Sequence, residues 1–140
     1  NDEVVMLQTE REHKRCLPGV RIPDSITISG DTANVINNAD VLVLASPVYF
    51  YSIDAQLKAV IDRTVARWLE VKNKEFYYIT TMADNEKSSA DTTLACFRGY
   101  ADCVKGAVEK GAVVAGGVYE KGEIKNHHAM KLAYQMGKNV

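Results

Sequence analysis

Five consecutive apolar residues, Val41 to Ala45 (VLVLA), end in Ser46-Pro47 and give way within a few residues to a helical pattern. A short run apolar on both faces predicts a fully buried strand, and a strand that feeds straight into a helix is half of a β-α-β unit. The helix is predicted from Ile53 to about Glu70, with Ser52 as N-cap and Ile53, Leu57, Val60, Ile61, Val65 and Trp68 as one buried stripe. The same alternation continues on both sides. Glu3 to Leu7 (EVVML) reads as a strand, Leu17 to Gly30 as irregular loop, and Asp31 caps a short helix through Val35, Ile36 and Ala39. Glu75 to Thr80 (EFYYIT) reads as a strand, followed by a polar loop from Met82 to Ala90. A helix from Asp91 carries Leu94, Phe97, Ala101, Val104 and Val108, with Gly111 at its C-cap. Ala112 to Ala115 (AVVA) then forms a strand, and a last helix from Asn126 carries Met130, Ala133 and Met136. Short strands alternating with longer helices define an α/β chain with a parallel sheet covered on both faces, in a single domain over residues 1–140.

Charge and cysteine content narrow the function classes. Seventeen basic against eighteen acidic residues leave no broad positive field, and the nearest basic run, Arg11 to Arg15, is interrupted by Glu12, so nucleic acid is not the expected partner. Val41 to Ala45 is far short of the roughly 20 apolar residues of a membrane span, which leaves a cytoplasmic protein as the expectation. Cys16, Cys96 and Cys103 show no C-x-x-C spacing and read as reduced, structural thiols, Cys96 and Cys103 as small buried hydrophobes. His127 and His128 are adjacent and so diverge on a helix, and no metal site is expected from them. Asp62 and Arg63 read as a surface ion pair, Lys121, Glu123 and Lys125 as a solvated turn, and Tyr77 and Tyr78 as core packing.

Ligands of open α/β sheets sit at the carboxyl ends of the strands, which directs attention to the residues after each apolar run. Ser46 to Ser52 (SPVYFYS) places three aromatics between a buried strand and a capped helix. A flat conjugated ring could stack on Tyr49, Phe50 or Tyr51 while backbone N–H groups bond its polar edge. The same residue types equally fit packing under a neighbouring loop or subunit.

The run ADVLVLASPVYFYSIDAQLKAVIDR, from Ala39 to Arg63, resembles the NADPH-dependent FMN reductase and iron-sulfur flavoprotein branch of flavodoxin-like proteins. There a strand, Ser-Pro-x-Tyr and a helix ending in Asp-Arg recur. GVYEKGEIKNHHAMKLAYQMGKN, from Gly117 to Asn139, is similar to the ending of the same branch. The resemblance implies a flavodoxin-like three-layer sandwich with sheet order 2-1-3-4-5. It implies FMN as cofactor and NADPH or NADH as co-substrate. The isoalloxazine would be bordered by the loop of Ser46, Pro47, Val48, Tyr49, Phe50 and Tyr51, and on its other side by Thr80, Thr81, Met82 and Ala83. No protein side chain is expected to act as catalyst, because the flavin carries the hydride chemistry. A small-molecule acceptor such as a quinone or free flavin, and a homodimer or homotetramer, complete the expectation.

Two departures from the family pattern qualify it. Family members open with an apolar strand and a loop of the type Gly-Ser-x-Arg-x-x-x-Asn-Thr that holds the FMN phosphate, and this sequence has neither. The expectation is a chain incomplete at its N-terminus, whose missing first strand would lie between Glu3–Leu7 and Val41–Ala45. The iron-sulfur members carry four clustered cysteines where only Cys16 stands here, so no cluster is expected. The rival readings are a flavodoxin-type electron carrier and a flavin-free interaction domain.

Overall fold

The computed structural model describes residues 2–15 and 18–140, so the reading of Cys16 falls outside it. The chain divides into two compact units, Asn1–Val35 and Ile36–Val140.

In the first unit the segment expected as a strand is a helix, α1 (Asp2–Glu10). A short apolar run such as Val4 to Leu7 does not by itself separate strand from helix, and the flanking residues decide. Asp2 and Glu3 complement the positive end of the helix dipole, and Glu10 pairs with Lys14 one turn on, at 3.0 Å. The following loop is irregular, as expected. Arg11 organises it, with a guanidinium that donates to the carbonyls of Pro23 and of Ile26, the latter at 2.8 Å.

Helix α2 (Thr32–Asn38) starts where Asp31 accepts the Asn34 N–H at 3.0 Å. Its far end is satisfied by Lys74, only 6% exposed, whose ammonium donates to the carbonyls of Asn37 and Ala39. An ammonium among helix-terminal carbonyls complements the negative end of the dipole.

The second unit is built on a parallel sheet in the order β1-β2-β3, from β1 (Val41–Pro47), β2 (Glu75–Thr81) and β3 (Val108–Ala115). Among the described residues the sheet has these three strands, and the five-strand order is not seen. β1 is buried on one face only, not on both as expected: Leu44 is buried but Val43 is 55% exposed. One face carries the main core, in which Leu44, Phe76 and Tyr78 pack with Leu94, Phe97 and Ala101 of α4 (Asp91–Asp102). Leu57 and Ile61 of α3 (Ala55–Arg63) lean on the same cluster. The other face carries a smaller core, in which Val113 and Ala115 meet Ala129, Ala133 and Met136 of α5 (His128–Gly137). Helices therefore cover both faces, and the unit is a three-layer α/β sandwich.

The long helix expected from Ile53 to Glu70 is shorter and broken. Asp54, not Ser52, caps it by accepting the Leu57 N–H at 2.8 Å. After Arg63 the chain tightens into a 3-10 turn over Thr64–Glu70, interrupted at Arg67 (φ −135°). Val65 and Trp68 consequently leave the buried stripe and are 70% and 45% exposed. Asp62 pairs with Lys58 at 2.6 Å rather than with Arg63, since residues four apart share a helix face and neighbours do not. Helix α4 stops at Asp102, and Val108 and Gly111 belong to β3, not to the helix and its cap. Gly111 is needed there for a different reason: a Cβ would lie 3.0 Å from the Met136 sulfur, so its absence lets α5 approach the sheet. Cys96 is half-buried, whereas Cys103 is exposed at the end of α4. The two histidine rings do not diverge, because His127 is the N-cap of α5 and lies outside its helical turn, and their centroids are 4.3 Å apart. Tyr77 and Tyr78 are core residues, as expected.

Candidate functional site

The last pair in the β1–β2 register is Pro47 with Thr81, so the carboxyl ends of the two strands lie side by side. The ladder runs one step further, with the Val48 N–H donating to the Thr81 carbonyl at 2.8 Å. The two segments expected to border a ring, Ser46–Tyr51 and Thr80–Ala83, are thus brought into one ledge.

The first segment is a tight reversal. Tyr49 and Ser52 exchange backbone hydrogen bonds of 2.9 and 3.0 Å across Phe50 and Tyr51, which both have positive φ, 49° and 63°. This is the pattern of a type I′ turn, for which Asn-Gly is the favoured pair, and a Cβ in the left-handed region costs about 1 to 2 kcal/mol per residue. Burial does not offset that cost: Phe50 is fully exposed, and Tyr49 and Tyr51 are 58% and 60% exposed. Nor does the turn use every amide, since those of Phe50 and Tyr51 stand outside its paired bonds. The base of the turn is fixed by Ser46, buried at 4%, whose hydroxyl donates to the Pro47 carbonyl and accepts the Asp54 N–H at 2.8 Å. Ser46 therefore closes the loop from inside, while Pro47 and the three aromatics face outward.

The second segment alternates as a strand end does. Thr80 and Met82 are buried, Thr81 is half-buried and Ala83 is exposed. Among the described residues the Thr80 hydroxyl has no hydrogen-bond partner. Met82 is locked on both sides, donating its N–H to the Ala115 carbonyl and accepting the Val118 N–H, each at 2.9 Å. The Gly117 N–H donates to the Asp84 carbonyl at 3.0 Å, which ties the loop after β2 to the loop after β3. Gly116 is required for this approach: a Cβ there would lie 2.7 Å from the Asp84 carbonyl oxygen.

The Asp84 carboxylate organises the same loop, accepting the Glu86 N–H at 2.9 Å and the Ser89 hydroxyl at 2.6 Å. These bonds, the backbone one foremost, hold its pKa below the usual carboxylate value. A depressed carboxyl pKa contributes stability that is present above the unfolded-state value and is lost as pH falls through the folded-state value. Asp84→Asn is therefore expected to flatten the acid limb of a stability-against-pH curve below about pH 4. Thermal melts across that range check it, and an unchanged acid limb counts against the assignment.

Beyond β3, the Glu123 carboxylate accepts the N–H groups of Tyr119 and Glu120, each at 2.8 Å, and these bonds lower its pKa. The segment expected as a solvated turn is thus internally braced. A carboxylate reaching back to amides three and four residues earlier is a local signal that the bare pattern Lys-Gly-Glu-Ile-Lys does not display.

The arrangement is a strand-end ledge in which exposed aromatics on one loop adjoin a second loop pinned by backbone bonds, in a parallel α/β sandwich. The family of NADPH-dependent FMN reductases matches residues 21–103, more than half of the chain, and includes every residue of this ledge. The protein belongs to that family, whose name carries FMN as cofactor and NADPH as electron donor. Over 125 residues it is 34% identical to the glycerol-3-phosphate dehydrogenase [NAD(P)+] of Agathobacter rectalis; the alignment covers 85% of this chain and 36% of that protein's length. The Trp repressor binding protein of Bacillus subtilis superposes with a TM-score of 0.66 at 23% identity, over 76% of this chain and 75% of that one. The NADPH-quinone reductase of P. pentosaceus superposes at 0.59 with 17% identity, over 76% and 72%. These likenesses establish the flavodoxin-like fold.

Proposed function

We propose that the protein is an FMN-dependent NAD(P)H oxidoreductase that reduces a small, flat acceptor such as a quinone or free flavin. The observation that carries this reading is the Tyr49–Ser52 turn, which holds two non-glycine residues in the left-handed region and exposes three aromatics at a strand end. Strain of this kind persists where the surroundings enforce it, and it concentrates at ligand sites. The residues fit the ring end of the family's cofactor: apolar ring faces from Tyr49, Phe50 and Tyr51, free amides at the turn, and Thr81 and Ala83 along the opposite loop. Bound FMN supplies the hydride chemistry, a role in which the protein needs no nucleophile of its own. The chain's residues then hold the ring, exclude water from one of its faces and leave the other open. In the net reaction a hydride from NAD(P)H and one proton convert a quinone to its hydroquinone.

Support comes from the family match and from the neighbouring fold described as an NADPH-quinone reductase. The dehydrogenase name belongs to a protein of which this chain spans 36%, and its substrate does not enter the reading. A homo-oligomer fits an apolar groove of about 850 Å³ lined by Ile53, Ile61, Val65, Trp68 and Tyr100. A cytoplasmic setting fits the free thiols of Cys96 and Cys103 and the use of a reduced nicotinamide. No helix among the described residues is long and apolar enough to cross a membrane.

Replacing Phe50-Tyr51 by Asn-Gly separates binding from folding. The variant places the favoured pair in a type I′ turn, so it is expected to be more stable by about 1 to 2 kcal/mol while its FMN affinity falls. Chemical denaturation and flavin-fluorescence titration measure the two effects. A stabilised variant with wild-type affinity removes the turn from the site. Steady-state oxidation of NADPH with FMN and menadione tests the activity: turnover above the protein-free rate is expected, and flavin binding without turnover contradicts the reductase assignment.

A further inference from the structure

We propose that Tyr119, braced by Glu123, is an acceptor-binding residue of this same site and favours flat aromatic acceptors of the quinone class. The proposal rests on the oxidoreductase reading above and adds a residue outside the stretch matched by the family.

Three observations meet at this position. Val48 bonds to Thr81 on one side of the loop after β2, and Val118 bonds to Met82 on the other. Tyr49 and Tyr119 each follow those residues directly, so the two backbones flank the β2 loop from β1 and from β3. Where Val48 and Val118 bond to either side of that loop, two strand spacings amount to about 10 Å, roughly the span of a two- to three-ring aromatic system. Tyr119 is 81% exposed, so its ring gains little from folding.

Its backbone is nevertheless fixed. Glu123 accepts the N–H groups of both Tyr119 and Glu120, and Gly122 (φ 98°) turns the chain so that the carboxylate can reach back. A charged acceptor on two amides is a strong brace for a surface turn. Glu123 touches no ligand in this account and acts as a positioning residue.

Ring shape rather than charge selects the class of ligand. From Met82 to Ala90 and from Gly116 to Asn126 the chain carries Asp84, Glu86, Glu120 and Glu123 against Lys87, Lys121 and Lys125. So nearly balanced a flank lays no strong field across the site, and the flat ring of a quinone can stack on a tyrosine.

The test uses the purified protein supplied with FMN and two kinds of readout. One is the dissociation constant of 2-naphthol, a flat, uncharged, fluorescent, non-reducible probe, measured by anisotropy. The other is kcat/KM for menadione relative to that for ferricyanide, which presents no ring to stack. Tyr119→Ser is expected to weaken probe binding and to lower the menadione-to-ferricyanide ratio, each about fivefold, while FMN affinity changes less. Glu123→Ala reproduces the effect. Glu123→Gln restores part of it, because its side-chain carbonyl still accepts the two N–H groups; thermal melts confirm that each variant is folded. A Tyr119→Ser protein with the wild-type probe constant and ratio overturns the proposal, as does a loss of FMN affinity as large as the loss of probe affinity. Wild-type protein that fails to bind FMN overturns the oxidoreductase reading itself, a result distinct from either.

Discussion

Phe97→Ala is expected to cost about 3 to 5 kcal/mol of stability, the range for truncating a fully buried aromatic. Phe97 is 0% exposed on α4 and stacks on Tyr78 of β2, with ring centroids 5.4 Å apart. Tyr78 in turn neighbours Phe76, which meets Tyr100 edge-on at 5.9 Å. These rings join α4 to the middle strand, and two positions beyond Tyr78 the same strand reaches Thr80 and the site. An alanine would leave a cavity lined by rigid aromatic faces that cannot collapse into it, which puts the cost at the high end of the range. Urea denaturation of the two proteins measures the difference. A loss below about 1 kcal/mol would mean that the α4–β2 layer is not the core of this unit.

The second large effect falls on the site rather than the core. Gly116→Ala would place a methyl group 2.7 Å from the Asp84 carbonyl oxygen and 3.3 Å from the Met82 methyl. Backbone must move to relieve the first contact, because no rotamer of the alanine or of Asp84 changes it. The hydrogen bonds lost in that movement are Gly117 N–H to Asp84 and Val118 N–H to Met82, which hold the loop after β2 in place. Overpacking of this kind costs about 1 to 3 kcal/mol. Because the loop carries Thr81 and Ala83, FMN affinity is expected to fall at least tenfold, more than the change in global stability alone conveys. Isothermal titration with FMN at a temperature where both proteins are folded measures it. Unchanged affinity would show that the β2 loop does not contribute to the site.

Much of the chain from Asp31 onward was legible in the sequence because its signals are local. Val41 to Ala45, Glu75 to Thr80 and Ala112 to Ala115 lie within the three strands, and Asp31 and Asp91 stand at the helix starts where they were expected. Boundaries were less legible where two local signals compete. Ser52 and Asp54 are both N-cap residue types, and the choice between them depends on Ser46, six residues before Ser52, which takes the Asp54 N–H. Val108 and Gly111 fit both a helical stripe and a strand, and pairing with β2 decides for the strand. Glu3 to Leu7 carries no period that separates the alternatives, and the acidic first turn of α1 resolves it only in retrospect.

The site divides in the same way. Residue type at a strand end pointed to Tyr49, Phe50 and Tyr51, whereas Thr80, Thr81, Met82 and Ala83 came only with the family resemblance. What the sequence could not display is backbone geometry: the positive φ values at Phe50 and Tyr51, and the carbonyl of Asp84 resting on Gly116. Nor could it distinguish the residues the two loops expose from those buried beneath them. Ser46, Thr80 and Met82 belong to the latter, since all three are buried. Lys74 and Glu123 illustrate the general reason: each satisfies backbone groups whose position depends on the folded chain.

Whether the ledge formed by the loops after β1 and β2 binds the FMN ring can be read from one spectrum. The protein is mixed with excess FMN, freed of unbound cofactor by gel filtration, and its visible absorption is recorded across the protein peak. The account predicts flavin bands that co-elute with the protein at one flavin per chain, with their shape perturbed by the stacked tyrosines, a perturbation reduced in Tyr49→Ala. A colourless protein peak, with all FMN eluting in the small-molecule volume, would contradict it.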